Sequence, residues 1–333
     1  MIIFIISGYF YLGSSSFLSV FLVILSFINL VGWSYPIYKL YELAGEKGIS
    51  LSVIKNLKIQ VNRGTPQLDR SLKYTTAGGQ DLFLDVYEAT NTAQGNIKPL
   101  IMIHGGGFVE GERSQEPEWI EFFNHLGYTV FDIEYRLATL ENHTWDLAAS
   151  DINSAIIWVG LNQERYNLDM SELVLAGSSA GASLALQASY GGESVFPSNN
   201  VGEYFPAEKI VAYFPATTME PLWNRDTKFL DISSREVGMK YTGGGPSDVP
   251  ERYNRINTVK LANRDAPETL VIHGSSDHLI PADTILPLEQ RLTELGVENE
   301  FVFIPFAEHG FTYFVGNFGF QIAKGVTQDF LQK

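Results

Sequence analysis

One stretch constrains this chain more than any other: Leu173-Val-Leu-Ala-Gly177-Ser178-Ser179-Ala180-Gly181, running on into ASLALQASY. A short apolar strand must turn sharply there and become a helix within a few residues. The glycines on either side of Ser179 remove side chains that would clash in such a turn, and the small Ala180 and Gly181 let the helix pack close behind it. The hydroxyl of Ser179 is thereby presented at the end of a strand, beside a helix amino terminus whose dipole favours developing negative charge. The same letters in another context would be an ordinary Gly/Ser turn, so the strand before and the helix after carry the weight.

A second pattern lies upstream. Pro99-Leu-Ile-Met-Ile-His104 reads as a buried strand that runs into Gly105-Gly106-Gly107-Phe108. Stabilising an oxyanion requires backbone NH groups brought close without side-chain interference, which glycines permit. Gly106 and Gly107, together with the NH of Ala180, are therefore assigned to an oxyanion hole. A serine nucleophile also needs a base, and the base an orienting acid, here in the chain order serine, acid, histidine. The strand Leu270-Val-Ile-His-Gly ends in a loop carrying Asp277, and the strand Phe301-Val-Phe-Ile ends in one carrying His309. Of the six histidines, His104 is expected to order the glycine loop and His273 to be a structural strand-end residue. His125 and His143 read as surface or loop positions, and His278 as pointing away from its neighbour Asp277. Asp283 is the rival acid, but its place after Pro281 suggests a helix cap. Glu308 either tunes His309 or faces solvent.

The remainder alternates β-branched runs with helical patterns, the signature of βαβ units on a mainly parallel sheet. Strands are expected at Leu82–Tyr87, Pro99–His104, Tyr128–Glu134, Glu172–Gly177, Lys209–Pro215, Glu268–His273 and Asn299–Ile304. Ala148, Ile152, Ala155, Ile156 and Val159 recur at helical spacing, as do Ile285, Leu288, Leu292 and Leu295. Residues 216–261 break the rhythm and read as a cap-like insertion over the sheet.

The amino-terminal segment is of a different kind. No charged side chain occurs from Met1 to Tyr38, and Phe17 to Trp33 is almost wholly apolar, enough for a membrane span. Residues 1–38 are accordingly expected to be a single-pass membrane anchor, 39–79 a juxtamembrane linker leading into the domain, and 80–333 the catalytic unit. A cleaved signal peptide fits less well, because no basic start precedes the apolar run and no small-residue cleavage pattern follows it. The run Ile2 to Leu12 is too short to span alone. Lys39, Lys47, Lys55, Lys58 and Arg63 on the far side of the span outnumber Glu42 and Glu46, which by the positive-inside tendency places the catalytic unit in the cytoplasm.

Composition closes several alternatives. A formal charge of −15 disfavours nucleic acid as a partner, since phosphate contacts need a basic surface. With no cysteine in the chain, disulfides and thiolate chemistry are excluded. No metal-ligand spacing, phosphate loop or dinucleotide fingerprint is present.

Taken in order, LDVY, HGGGF with Gly111 shortly after, DIEYRLA, LVLAGSSAGAS, LVIHGSSDHLIP and the final HGF resemble the hormone-sensitive-lipase-like and acetyl-esterase branch of the α/β-hydrolases, from about Leu82 to the carboxyl terminus. The resemblance implies the α/β-hydrolase fold, a Ser179–Asp277–His309 triad and no cofactor. It also implies hydrolysis of carboxylic esters with short to medium acyl chains through an acyl-enzyme. Thr139, Ser178 and Ala182 depart from the usual residues and move the chain toward feruloyl-esterase-like and formamidase-like relatives. An amidase, peptidase or formamidase on the same triad is the alternative, and a non-catalytic binding protein on this scaffold a more distant one. The membrane segment is similar in placement to that of prenylcysteine methylesterases, which adds a lipid-like ester to the expected substrates.

Overall fold

The computed structural model describes residues 17–61, 68–89 and 96–333. The short apolar run at the amino terminus and Arg63 lie outside the described residues. Eight strands form one sheet: β1 (Arg70–Ala77), β2 (Gln80–Tyr87), β3 (Lys98–Ile103), β4 (Tyr128–Ile133), β5 (Val174–Ser178), β6 (Lys209–Tyr213), β7 (Glu268–Gly274) and β8 (Asn299–Ile304). Their spatial order is β1-β2-β4-β3-β5-β6-β7-β8. Strand β2 is antiparallel to both of its neighbours, and every other pair is parallel. This is the α/β-hydrolase fold that the motif order implied.

The parallel strands are mostly apolar because both faces of the sheet are covered. Alternation of side chains divides them between two cores. Leu100 and Met102 of β3 face one core, while Ile101 and Ile103 face the other. The first core is closed by helix α2 (Pro117–His125), through Trp119, Ile120 and Phe123, and by α6 (Phe318–Gln332), through Phe320, Ile322 and Val326. The second is closed by α3 (Leu147–Leu161), α4 (Ala180–Val195) and α5 (Leu286–Leu295). The DIEYRLA segment has a structural task at this point. The Arg136 guanidinium grips the buried Asp151 of α3 with Nη2 at 2.6 Å and Nε at 2.9 Å, and the Arg136 amide adds a further bond at 3.0 Å.

All seven expected strands are present, and β1 is an eighth that the sequence reading placed inside the linker. Its RSLKYTTA sequence is polar because it is an edge strand with half of its positions exposed, so it lacks the apolar run that marks its neighbours. The segment that follows the apolar helix is likewise strapped to the domain. Lys47 pairs with Glu300 at 2.9 Å, the Ser52 amide donates to Gln321 Oε1 at 2.7 Å, and Gln60–Val61 pairs antiparallel with Phe314–Val315.

Helix α1 (Phe17–Glu46) is 30 residues long. The portion from Val20 is long and apolar enough to cross a membrane. Its apolar side chains Phe17, Phe21, Ile24, Phe27, Ile28 and Val31 are exposed, whereas Leu40, Leu43 and Ala44 near its carboxyl end pack into the first core.

Between β6 and β7 the chain leaves the sheet. It forms short helices at Glu220–Arg225, Ser234–Tyr241, Pro250–Arg255 and Thr258–Leu261 and a ribbon that pairs Lys228–Phe229 with Ile232–Ser233. Tyr241 fastens this region down. Its ring stacks on Phe108 with centroids 3.9 Å apart, and its hydroxyl donates to Gln187 Oε1 at 3.0 Å.

Candidate active site

Ser179 sits between the last residue of β5 and the first of α4, with φ 51° and ψ −116°. A non-glycine residue held in that region is strained, and the surroundings must impose the conformation. The close packing behind it explains the small residue at Gly181, where a Cβ would lie 2.1 Å from the carbonyl oxygen of Ile103. The Ser179 amide is anchored to the Tyr213 carbonyl at 2.8 Å, so the turn is tied to the neighbouring strand.

The three residues expected to act together are brought together. Ser179 Oγ lies 2.9 Å from His309 Nε2, and His309 Nδ1 lies 2.8 Å from Asp277 Oδ2. A carboxylate only accepts, so the imidazole proton resides on Nδ1 and leaves Nε2 free to take the serine proton. Asp277 is 4% exposed. Its other oxygen accepts from the amides of Leu279 at 3.0 Å and Ile280 at 2.7 Å, which fixes the carboxylate plane. The ring of Phe214 stands edge-on to His309 at 4.9 Å. Sequence reasoning did not single out Phe214, because in YFPA it reads as one more core aromatic.

The glycine loop after β3 has an unusual backbone. Gly106, Gly107 and Phe108 have φ of 115°, 60° and 67°. At Gly106 a Cβ would stand 1.9 Å from the Glu110 carbonyl oxygen, so no other residue fits without moving the loop. Among the described residues, the amides of Gly106, Gly107 and Ala180 donate to no backbone carbonyl. That of Ala180 is one of the free donors at a helix start. His104 orders this loop as expected: its ring stacks on Tyr135 at 4.4 Å, and Nδ1–H donates to the Gly105 carbonyl at 2.7 Å. Burial lowers its pKa to about 4, so it is neutral at physiological pH.

The other candidates fall elsewhere. Asp283 does not cap a helix; it forms a two-bond ion pair with Arg225 of the inserted region, at 2.8 and 2.6 Å. Glu308 forms a short pair with His278, which turns both away from the triad. His273 is buried beside the triad acid, with Nε2 2.8 Å from the Ile280 carbonyl and 3.5 Å from Asp277 Oδ2. His125 bonds to the carbonyl of Glu121 and His143 to that of Lys240.

A cavity of about 190 Å³ opens onto Ser179 and His309. The inserted region supplies Ala216, Met219, Leu222, Ile232 and Val237 to its wall, and the segment after Asp277 supplies Leu279 and Ile280. Polar lining comes from Glu110, Gln115, Ser234 and Tyr313. The site can therefore present a serine hydroxyl, a base and free amides to a carbonyl group whose substituent lies against apolar side chains.

The family model described as BD-FAE matches residues 84–292, more than half of the chain. The chain belongs to the BD-FAE family. Among curated proteins it is similar to esterase LipC of Mycobacterium tuberculosis, with 26% identity over 240 residues, 68% of this chain and 56% of that protein. Esterase LipQ of the same organism is 25% identical over 248 residues, 70% of this chain and 55% of the relative. The chain thus spans about half the length of the curated relatives it matches. Among solved structures it is similar to Thermogutta terrifontis esterase 2. The form phosphoramylated by tabun has a TM-score of 0.67 at 19% identity, covering 82% of this BD-FAE chain and 97% of that one. The butyrate-bound form has a TM-score of 0.67 at 20% identity, covering 81% and 96%. At that identity the likeness concerns the fold.

Proposed function

We propose that this BD-FAE family member is a serine carboxylesterase acting on esters of short to medium acyl chain. The observation that carries the proposal is the hydrogen-bonded chain from Ser179 through His309 to Asp277. In the proposed reaction His309 Nε2 accepts the Ser179 proton as Oγ attacks the ester carbonyl, and Asp277 stabilises the imidazolium that forms. The amides of Gly106, Gly107 and Ala180 hold the oxyanion of the tetrahedral intermediate. His309 then returns its proton to the departing alcohol, and water repeats the sequence on the acyl-enzyme to release the acid and regenerate Ser179.

Several observations support an ester of modest size. The cavity of about 190 Å³ is below the range of roughly 300–1,000 Å³ usual for drug-sized ligands. Its apolar lining suits an acyl chain. The curated relatives are esterases, and the Thermogutta esterase binds propionate and butyrate in solved forms. Membrane attachment through α1 forms part of the proposal, with the lysines beyond the span favouring a cytoplasmic catalytic unit. Digestion of that unit by protease added outside intact, right-side-out cells would contradict the orientation.

The deciding experiment treats the detergent-solubilised protein with a fluorophosphonate probe and maps the labelled peptide. It then assays p-nitrophenyl esters of increasing chain length with the wild type and Ser179→Ala. Labelling at Ser179 with turnover that the variant lacks is expected. Folded protein without labelling, or undiminished turnover by the variant, would sink the proposal.

A further inference from the structure

Beneath the glycine loop runs a chain of three polar side chains that the triad does not use. Glu116 lies at the start of α2 and is 2% exposed. Its Oε1 accepts a short hydrogen bond from the hydroxyl of Ser178, the residue before the nucleophile. Ser178 Oγ in turn lies 3.1 Å from the hydroxyl of Tyr313. A Cβ on Gly105 would stand 2.8 Å from the Tyr313 hydroxyl and 3.0 Å from Ser178 Oγ, so the chain presses directly against the loop. Tyr313 also lines the cavity together with Ser179 and His309. The chain therefore begins at a buried acid and ends where substrate binds.

The direction of these hydrogen bonds depends on one proton. A carboxylate can only accept. With Glu116 ionised, Ser178 commits its proton to Glu116, its oxygen accepts the proton of Tyr313, and Tyr313 presents only lone pairs to the cavity and to its other neighbour there, the Gln115 side chain. With Glu116 protonated, the acid donates to Ser178, Ser178 donates to Tyr313, and the phenolic proton is released to the cavity. Tyr313 changes from acceptor to donor.

We propose that Tyr313 binds the alcohol portion of the ester and that Glu116 is a positioning residue which, through Ser178, sets whether Tyr313 offers substrate an acceptor or a donor. The proposal rests on the esterase reading above. The surroundings of Glu116 allow both states near neutrality. Burial pushes its carboxyl up to about 7, with the Ser178 bond opposing. Its Oε2 has no hydrogen-bond partner, which makes the anion costly. The titratable groups facing it are Asp132 on β4, itself pushed up to about 8 by burial, Tyr213 on β6 and Tyr313. Arg113, the cation that acts on Asp132, is engaged by Asp85 and Glu134.

The test is a competition, with the full-length protein in detergent, between 2-hydroxyethyl butyrate and 2-methoxyethyl butyrate from pH 5.5 to 8.5. Both esters deliver the same acyl group, so the ionisation of His309 and the deacylation step cancel in their kcat/KM ratio. Only the hydroxyethyl ester can donate to an acceptor Tyr313. The ratio is expected to shift toward it by roughly threefold to tenfold as pH rises, the range of one net hydrogen bond. Glu116→Gln, whose amide can donate at every pH, should hold the low-pH ratio throughout. Tyr313→Phe, which keeps the ring and loses the hydroxyl, should give a flat ratio even if the Glu116 variant does not fold. A flat ratio in the wild type, or a rise that persists in Tyr313→Phe, overturns the proposal. Failure of the wild type to cleave either ester overturns the esterase reading, and the proposal with it.

Discussion

The ring of Tyr35 on α1 meets the ring of Phe306 edge to face, with centroids 5.9 Å apart, and Phe306 belongs to the loop that carries His309. Phe306 is 48% exposed and has a φ of 58°. A strained, half-exposed aromatic needs outside support to stay in place, and the apolar helix provides some of it. Such a ring pair contributes about 0.5–1.5 kcal/mol. Tyr35→Ala is therefore expected to speed amide hydrogen exchange across residues 305–311 while leaving β5 protected. Equal exchange in the two proteins would show that the contact does not hold the loop.

In the proposed mechanism Asp277 holds the imidazole as the tautomer that can accept the serine proton. Replacing it with asparagine keeps the size of the side chain but allows the opposite tautomer. A fall in kcat of roughly 10⁴-fold with little change in KM is expected for Asp277→Asn. Steady-state hydrolysis of p-nitrophenyl butyrate checks this, with circular dichroism to confirm the fold.

Gly106 combines a φ of 115° with a Cβ position 1.9 Å from a carbonyl oxygen. Gly106→Ala must shift the loop and with it the proposed oxyanion donors. Loss of one donor typically lowers kcat about 10²- to 10³-fold. The expected outcome is a loss of that order in a protein whose thermal midpoint moves by only a few degrees. Unchanged kcat would remove Gly106 from the oxyanion hole.

Stability should also depend on pH in a particular direction. Burial raises Glu116 to about 7 and Asp132 to about 8, so the folded chain holds protons that the unfolded chain releases at lower pH. Their contribution is fully present below the ordinary carboxylate range and is lost as pH rises through those values. His104, lowered to about 4, and His273, lowered by the same cause, act oppositely and are lost as pH falls below about 6.5. Above that pH only the carboxylates act. Urea midpoints are expected to fall between pH 6.5 and 8.5, and Glu116→Gln should remove roughly 1 kcal/mol of that fall. A midpoint that rises over this range would contradict the assignment.

The sequence reading recovered what is local or ordered along the chain. The parallel strands announce themselves because burial on both faces demands largely apolar runs. The convergence of Ser179, Asp277 and His309 was legible because each follows a strand at one edge of the same sheet. Strand β1 escaped because an edge strand with one wet face carries no such run. Phe214 against His309 and the line from Glu116 to Tyr313 escaped for another reason. They join residues far apart in sequence through side-chain directions, and no periodicity encodes those. The inserted region was legible only as an interruption, since its shape is set by single contacts such as Phe108 on Tyr241 and Arg225 on Asp283.

Helix α1 has a further consequence. Its apolar stretch and the turns bearing Leu40, Leu43 and Ala44, which are embedded in the first core, belong to one continuous helix of about 45 Å at 1.5 Å per residue. Between the two lies Pro36, inside the helix, whose ring removes a backbone donor and permits a bend. If α1 is held in a membrane, that bend and the embedded turns together set the height and heading of the cavity mouth.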